Sequence, residues 1–212
     1  MKYKAKSNLL FELAKMPYFT KEQVFQLGKE EKTYNLQKST IDTYISRFLK
    51  DKKIIALKRG LYVTNEFYEK NKHKTSYLFY IANVLRKPSC ISSWTALQYY
   101  GLATEVIYTI TSVTTKVTKN YKTKVGAFTY QSIKKDLFSD FSVVKEGEFH
   151  FFIATPSKAL FDLLYFKTKQ LKGLSEREIN HLVEELRIDI DEMEDAERKK
   201  FSSMIKNYLN YE

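Results

Sequence analysis

The stretch from residue 38 to residue 65 constrains the fold of this chain more than any other part of the sequence. Apolar side chains recur in its first half at i, i+3, i+4, i+7 and i+8, namely at Ile41, Tyr44, Ile45, Phe48 and Leu49. This spacing predicts a short amphipathic helix with one buried face. Ser39 is expected to cap the helix, with Asp42 as the acidic half of a capping box.

The second half of this stretch changes to the pattern of a β-hairpin. Two short apolar runs, 54–57 and 61–63, flank the basic turn Lys58-Arg59-Gly60. Gly60 suits a tight turn, because glycine tolerates backbone conformations that other residues resist. A helix followed directly by a hairpin with a basic tip is typical of a winged helix. In that fold the helix enters the major groove of DNA and the hairpin reaches a neighbouring backbone or minor groove.

The polar face of the predicted helix and the tip of the hairpin form the candidate DNA-binding surface. Its members are hydroxyl side chains and cations: Ser39, Thr40, Thr43, Ser46, Arg47, Lys50, Lys58 and Arg59. Arg47 is the candidate for reading guanine, because its planar guanidinium matches the O6/N7 pair of that base. Two alternatives stay open: an ordinary solvated helix face, and turn charges that serve solubility.

Charge is unevenly distributed along the 212 residues, whose net charge is +11. Residues 1–75 hold 17 basic and 8 acidic side chains, a net of +9. Residues 76–170 hold 12 and 6, a net of +6, and residues 171–212 hold 7 and 11, a net of −4. A polyanionic partner is therefore expected to bind the N-terminal third.

A second basic segment lies in the middle of the chain. It contains four lysines, which are Lys116, Lys119, Lys122 and Lys124. The segment is either a second surface for an anionic partner or a flexible solvated loop, and the residues themselves favour neither.

Composition places the chain among globular proteins without a disulfide framework. Hydrophobic residues make up 43% of the chain, which is enough to bury a core. Cys90 is the single cysteine, so an intrachain disulfide and a cysteine metal cluster are excluded. The histidines His73, His150 and His181 lack ligand spacing, so we expect neither a metal nor a cofactor. The chain shows no secretory signal pattern and no run of roughly 20 apolar residues, so we expect a cytoplasmic protein without a membrane partner.

The order of patterns predicts an α+β protein with two domains. Residues 1–64 are expected to form a winged helix-turn-helix domain. Residues 65–76 are polar and charged, as in a linker or a solvated helix. Residues 77–212 are expected to form a larger mixed domain that ends in helices.

Local signals place the individual elements. In the first domain, a helix is predicted at 4–16, and a second begins at the capping box of Thr20 and Gln23 and ends at Gly28. In the second domain, strands are predicted at 108–115, 124–133 and 149–154. Helices are predicted there at about 77–86, 92–100, 155–167, 175–187 and 191–209.

Two groups in the second domain are expected to have structural roles. Lys158 and Asp162, which are four residues apart on a predicted helix, are expected to form an ion pair of little energetic weight. Trp94, Tyr99 and Tyr100 have helical spacing, which favours core packing over stacking on nucleic-acid bases.

Three phrases of the sequence resemble the AbiEi-type antitoxins of bacterial type IV toxin–antitoxin, or abortive-infection, systems. The first is Arg-Gly-Leu-Tyr-Val at 59–63, which closes the hairpin. The second runs over 90–102, from Cys-Ile-Ser-Ser-Trp-Thr-Ala-Leu to Tyr-Gly-Leu, and the third over 153–164, from Ile-Ala-Thr-Pro-Ser-Lys-Ala-Leu to Asp-Leu-Leu. The family often has an acid where this chain has Ser157.

This resemblance implies a transcriptional repressor that autoregulates its own operon and is joined to an antitoxin domain in antiviral defence. Its implied partners are double-stranded DNA at its own promoter and a nucleotidyltransferase-like toxin that it counteracts without a stable complex. Repressors of this kind commonly read inverted repeats as dimers.

A nuclease with a winged-helix targeting arm is the alternative from another class of function. A nuclease would need clustered carboxylates to hold Mg²⁺. The cluster that precedes the acidic tail consists of Asp136, Asp140, Glu146 and Glu148. These acids lack the acid-x-Lys pattern common among nucleases, so we do not expect an enzyme. An RNA-binding or protein-binding adaptor is the third hypothesis.

Overall fold

The computed structural model of this chain describes residues 2–30, 37–104, 108–168 and 170–210. Over these ranges the chain has a mixed α+β fold with two β-sheets. It divides into two compact units. The first unit comprises Met1–Ile81 with Tyr121–Gly126, and the second comprises Ala82–Asn120 with Ala127–Glu212.

The first unit consists of helices around a small antiparallel sheet. In chain order its elements are α1 (Lys2–Leu13), β1 (Phe19–Thr20), α2 (Lys21–Glu30), α3 (Lys38–Lys50), β2 (Ile54–Lys58), β3 (Leu61–Thr64) and α4 (Asn65–Asn71). Helix α5 (Thr75–Leu85) begins in this unit. The strand order of the sheet is β1-β3-β2, so the short strand before α2 lies against the hairpin.

The apolar stripe predicted for α3 is confirmed at four of its five positions. Ile41, Tyr44, Ile45 and Phe48 are buried with Leu13, Phe19 and Val24 in one core cluster. Leu49 is 36% exposed. Because successive helical residues are about 100° apart, Leu49 lies at the margin of the stripe, and it is also the next-to-last residue of the helix.

Helix ends agree with the sequence at one position and differ at two. The capping box of α2 is confirmed, since the Thr20 amide donates to Gln23 Oε1 at 2.8 Å and the Gln23 amide donates to Thr20 Oγ1 at 3.3 Å. The predicted end at Gly28 is wrong, because α2 continues to Glu30; glycine weakens a helix by about 1 kcal/mol without having to end it. The predicted cap at Ser39 is also wrong, since Gln37 holds the N-cap position.

The stretch 65–76 contains a packed helix rather than an open connection. The Thr64 hydroxyl caps α4 by accepting the amide hydrogen of Phe67 at 3.1 Å. Phe67 and Asn71, one turn apart, are buried, and the Phe67 ring lies 5.6 Å from that of Tyr77. The first compact unit therefore extends beyond residue 64 to Ile81.

Helices flank a mixed sheet in the second unit. After α5 its elements are β4 (Cys90–Ile91), α6 (Ser93–Tyr99), β5 (Thr109–Thr114), β6 (Lys119–Lys122), β7 (Ala127–Ser132), β8 (Phe141–Glu146), β9 (Phe149–Ala154), α7 (Pro156–Lys167), α8 (Glu176–Glu185) and α9 (Asp195–Asn210). The last two residues of β6 fall in the first unit. The strand order is β6-β7-β5-β4-β9-β8. The pairs β5–β7 and β4–β9 are parallel, whereas β4–β5 and β8–β9 are antiparallel.

Helix α7 is the centre of the second unit. Every residue from 157 to 165 is buried, and the helix packs against α6 and α9. The predicted strand at 149–154 is confirmed as β9, and those at 108–115 and 124–133 correspond to β5 and β7. The sequence did not predict β4, β6 or β8, because β4 has two residues and the other two carry charged side chains.

Candidate nucleic-acid interface

The polar face of α3 faces solvent. Five of the predicted contact residues on the helix are exposed, which are Ser39, Thr43, Ser46, Arg47 and Lys50, and Thr40 is half-buried. Burial of the opposite apolar face fixes this orientation. The Thr43 hydroxyl donates to the Ser39 carbonyl at 3.0 Å, so it is engaged by the helix backbone.

The β2–β3 hairpin presents the predicted basic turn at its tip. Strands β2 and β3 pair in antiparallel register, with an irregularity between Ala56 and Lys58. Gly60 has a φ of +78°, as the sequence predicts for this turn. Arg59 is exposed and Lys58 is half-buried. The turn therefore places at least one cation in solvent beside the strand pair.

Lys21 connects the hairpin turn to the polar face of α3. Its backbone N–H donates to the Gly60 carbonyl at 3.4 Å. Its ammonium group forms an ion pair with the carboxylate of Asp42 on α3. Strand β1 supports this connection, because Thr20 pairs with Leu61 at the start of β3. The hairpin turn and α3 are thus joined through one residue at the N-terminus of α2.

Sequence reasoning missed Lys21 and assigned Asp42 to a cap. Lys21 directly follows Thr20, the first residue of the capping box. The capping box locates the start of α2 but gives no information about contacts with other elements. The N-cap lies two residues earlier than expected, at Gln37, and Asp42 pairs with Lys21 instead of completing a capping box. This pairing neutralises an acid on an otherwise cationic face.

The four lysines of the middle segment are all exposed. Lys122 and Lys124 belong to the first compact unit, where the Lys124 carbonyl accepts the hydroxyl of Tyr68 at 3.4 Å. Lys116 and Lys119 belong to the second unit. Strand β6 is an edge strand of its sheet. Lysines on such a strand discourage pairing with other chains, which gives this segment a structural role besides the predicted anionic contact.

The ion pair of Lys158 and Asp162 is fully buried, with side-chain exposures of 1% and 0%. Ser92 donates its hydroxyl hydrogen to Asp162 Oδ2 at 2.6 Å. Burial raises the pKa of Asp162, against the opposing attraction of Lys158 and the hydrogen bond from Ser92. The pair is therefore not the exposed helix ion pair that the sequence suggested, and loss of one partner would leave an uncompensated charge in the core.

Helix α9 holds the N-terminus of α7 through a carboxylate. Glu197 accepts the backbone N–H of Ser157 at 2.9 Å and its hydroxyl at 2.6 Å. A negative charge at this end of α7 complements the helix dipole. A second link joins Lys200 to Asp140 at 2.8 Å. Partial burial alone would raise the pKa of Asp140, but hydrogen bonds from Lys200 and Ser139 outweigh it and lower the pKa.

The acids considered for a nuclease site have separate environments. Asp140 is paired with Lys200, and Glu146 accepts the hydroxyl hydrogen of Tyr99 at 2.7 Å. Asp136 and Glu148 are exposed. Within the described ranges, no group of three or more His, Cys, Asp or Glu side chains is arranged to hold a metal ion.

The aromatic residues of α6 and its C-terminal end are half-buried in the second unit. Tyr100 donates its hydroxyl hydrogen to the Ala154 carbonyl at 3.1 Å. Burial, with the nearby Glu197 and Cys90, raises the pKa of Tyr100 to about 12. The Tyr99 ring contacts Phe151 edge-on at 6.0 Å. Both tyrosines therefore have packing and hydrogen-bonding partners in this unit.

Comparison of the sequence with models of known protein families and with curated proteins finds no match. The resemblance to AbiEi-type antitoxins therefore depends on the three sequence phrases at 59–63, 90–102 and 153–164. Among the helices in the described part of the chain, none combines the length and the apolarity needed to cross a membrane.

Proposed function

We propose that this chain is a DNA-binding transcriptional repressor whose first unit is a winged helix. The order of elements supports the proposal, since three helices precede a hairpin and a short strand before α2 completes the sheet in the order β1-β3-β2. In a winged helix, α3 would lie in the major groove and the β2–β3 turn would contact the adjacent backbone.

The main support for the proposal is that Lys21 connects the hairpin turn to α3. A helix and a hairpin tip bind one duplex together only if they are presented in a fixed relation to each other. Lys21 contributes to this relation through its hydrogen bond to Gly60 and its ion pair with Asp42. The ion pair neutralises the carboxylate of Asp42. That carboxylate therefore does not repel the DNA phosphates that the cations of α3 and of the turn would contact.

Different members of the surface have different roles in this proposal. Arg47 reads a guanine in the major groove, and its exposed guanidinium is free of the apolar core. Lys50, Lys58 and Arg59 contact phosphates, and so contribute affinity and salt dependence more than sequence preference. Ser46, which lies beside Arg47 on the exposed face, is short enough to allow close approach to the groove.

For the second unit, we propose an antitoxin role against a nucleotidyltransferase-like toxin, without a stable complex. The phrases at 90–102 and 153–164 support this part, and both lie in the core of the unit, around α6 and α7. The repressor would act on its own operon in the cytoplasm, as a dimer on inverted repeats.

The experiment that tests the proposal is a fluorescence-anisotropy titration of the full chain. Three labelled probes are compared: duplex DNA from upstream of its own gene, random duplex of equal length, and RNA of the upstream sequence. We expect preference for the upstream duplex, with affinity that falls steeply between roughly 50 and 200 mM salt. Equal binding to all three probes would contradict a specific repressor, and Mg²⁺-dependent cleavage of the probe would point to a nuclease.

A further inference from the structure

A groove of about 540 Å³ lies on the second unit, between the α5–β4 connection and the β8–β9 strand pair. Its volume lies within the range of small-molecule sites in proteins, which is roughly 300 to 1,000 Å³. None of the described residues that line the groove belongs to the α3 surface or to the buried Lys158–Asp162 pair. Neither the proposed DNA binding nor the antitoxin role accounts for it.

Three phenylalanines form one wall of the groove. The rings of Phe138 and Phe141 lie 5.1 Å apart, and the ring of Phe141 meets that of Phe152 edge-on at 5.8 Å. Phe152 is 40% exposed, although it lies on the inner strand of the β8–β9 pair. Aromatic surface left in water at a concave site is the usual sign of a binding pocket for an apolar group.

The lining of the groove also includes a residue whose buried hydroxyl has no hydrogen-bond partner. Ser89 is 6% exposed, and its Oγ has no partner among the described residues. The neighbouring Asn83 is engaged at both ends of its amide, because its Oδ1 accepts the Phe152 amide hydrogen at 2.6 Å and its Nδ2 donates to the Ser89 carbonyl at 3.4 Å. A buried unpaired hydroxyl costs stability, so a hydrogen bond gained there would be favourable. The Ser89 hydroxyl oxygen has almost no accessible surface without a ligand, so a ligand reaches it only when the lining side chains around it shift.

Lys87 supplies the charge of the groove. Among the described residues that line it, Lys87 alone carries an ionised side chain, and that side chain is exposed. A single cation beside an aromatic wall suits one carboxylate better than a polyanion, which would need several cations. A neutral apolar molecule would leave both Lys87 and Ser89 unused.

We propose that this groove binds a small aromatic carboxylate. The ring of the ligand lies against Phe138, Phe141 and Phe152, and its carboxylate pairs with Lys87. A small shift of the lining on binding would let Ser89 add a hydrogen bond. This site goes beyond the proposed repressor function and does not depend on it, since it belongs to the second unit alone.

Calorimetric titration of the full chain with two matched probes tests the site. The probes are 1-naphthoate and its neutral analogue 1-naphthamide. We expect 1-naphthoate to bind roughly tenfold more tightly, as a partly desolvated charge pair would give. Lys87→Gln should remove this preference, whereas Lys145→Gln should keep it. Lys145 is the matched control because it is an exposed lysine on β8 that does not line the groove.

Ser89→Ala provides a second, independent readout. Removal of the unpaired hydroxyl should raise the melting temperature of the ligand-free protein and weaken 1-naphthoate binding several-fold. Three results would overturn the proposal: no binding of 1-naphthoate at millimolar concentration, equal affinity for the two probes, or an equal loss in the Lys87→Gln and Lys145→Gln variants. Because Lys87 is exposed, circular dichroism should show that its variant folds normally.

Discussion

Helices α3 and α7 both carry polar side chains at helical spacing, yet they place them in opposite environments. On α3 the polar residues Thr43, Ser46 and Arg47 are exposed, because an apolar stripe on the other side packs into the core. On α7, Lys158 and Asp162 are buried, because the helix is apolar nearly all round and packs between α6 and α9. Polar spacing therefore identifies a face, and the surrounding apolar residues decide whether that face meets solvent.

The largest expected effect belongs to the buried pair. Asp162→Ala should lower the free energy of unfolding by about 3–5 kcal/mol, because it leaves the Lys158 ammonium unpaired in the core. Urea denaturation measures this change. Arg47→Ala, on the exposed face, should change stability by no more than about 0.5 kcal/mol. Similar losses in the two variants would contradict the contrast between α7 and α3.

Arg47 should matter for DNA rather than for stability. Arg47→Ala is expected to weaken binding to the upstream duplex by about 1–3 kcal/mol and to relax preference at one base position. Anisotropy with single-base variants of the probe measures both effects. Arg177→Ala is the matched control, because Arg177 is an exposed arginine on α8 in the second unit. An unchanged affinity of Arg47→Ala would refute the groove assignment.

The hairpin tip should contribute affinity without sequence choice. Lys58→Ala is expected to weaken binding to upstream and random duplex by the same factor, because its proposed contact is a phosphate. The slope of log affinity against log salt should fall by about 1. A loss confined to the upstream duplex would instead assign Lys58 to base recognition.

The smallest effect concerns the Asp140–Lys200 link of α9, which is partly open to solvent. Since the folded-state pKa of Asp140 is lowered, its contribution to stability is present above its ordinary pKa and is lost as pH falls through the lower value. Asp140→Asn should therefore cost at most about 1 kcal/mol at neutral pH. The difference from the parent chain should shrink at acidic pH. If the loss of stability in Asp140→Asn did not change with pH, the contribution of the pair to stability would not be electrostatic.

Sequence patterns predicted the structure correctly where it depends on residues that lie close together in the chain. The apolar stripe of α3, the turn at Gly60 and the capping box of Thr20 with Gln23 all depend on residues within a few positions of each other. These signals predicted α1, α2, α3 and the β2–β3 hairpin, with errors of a few residues at helix ends. They did not predict β1, and they left 65–76 as a linker or a solvated helix.

Contacts between distant segments were beyond the reach of sequence reasoning. Ser157 meets Glu197 across 40 positions, and the ion pair of Lys21 joins it to Asp42 in another helix. The spacing of Lys158 and Asp162 predicted their pairing correctly but not their burial, which depends on what packs over α7. Similarly, β8 was missed because it carries Lys145 and Glu146, and charged side chains weaken a strand signal read from composition alone.

Site-directed photo-cross-linking tests whether the polar face of α3 contacts duplex DNA. A photoreactive reagent is attached to a Ser46→Cys variant on α3 and, as the control, to Ser203→Cys on α9, both at exposed positions. The native Cys90 should not react, because it is buried and burial raises the pKa of its thiol. We expect cross-links to the upstream duplex from position 46 and none from position 203. Cross-links from position 203 alone, or from neither position under conditions where the duplex binds, would contradict it.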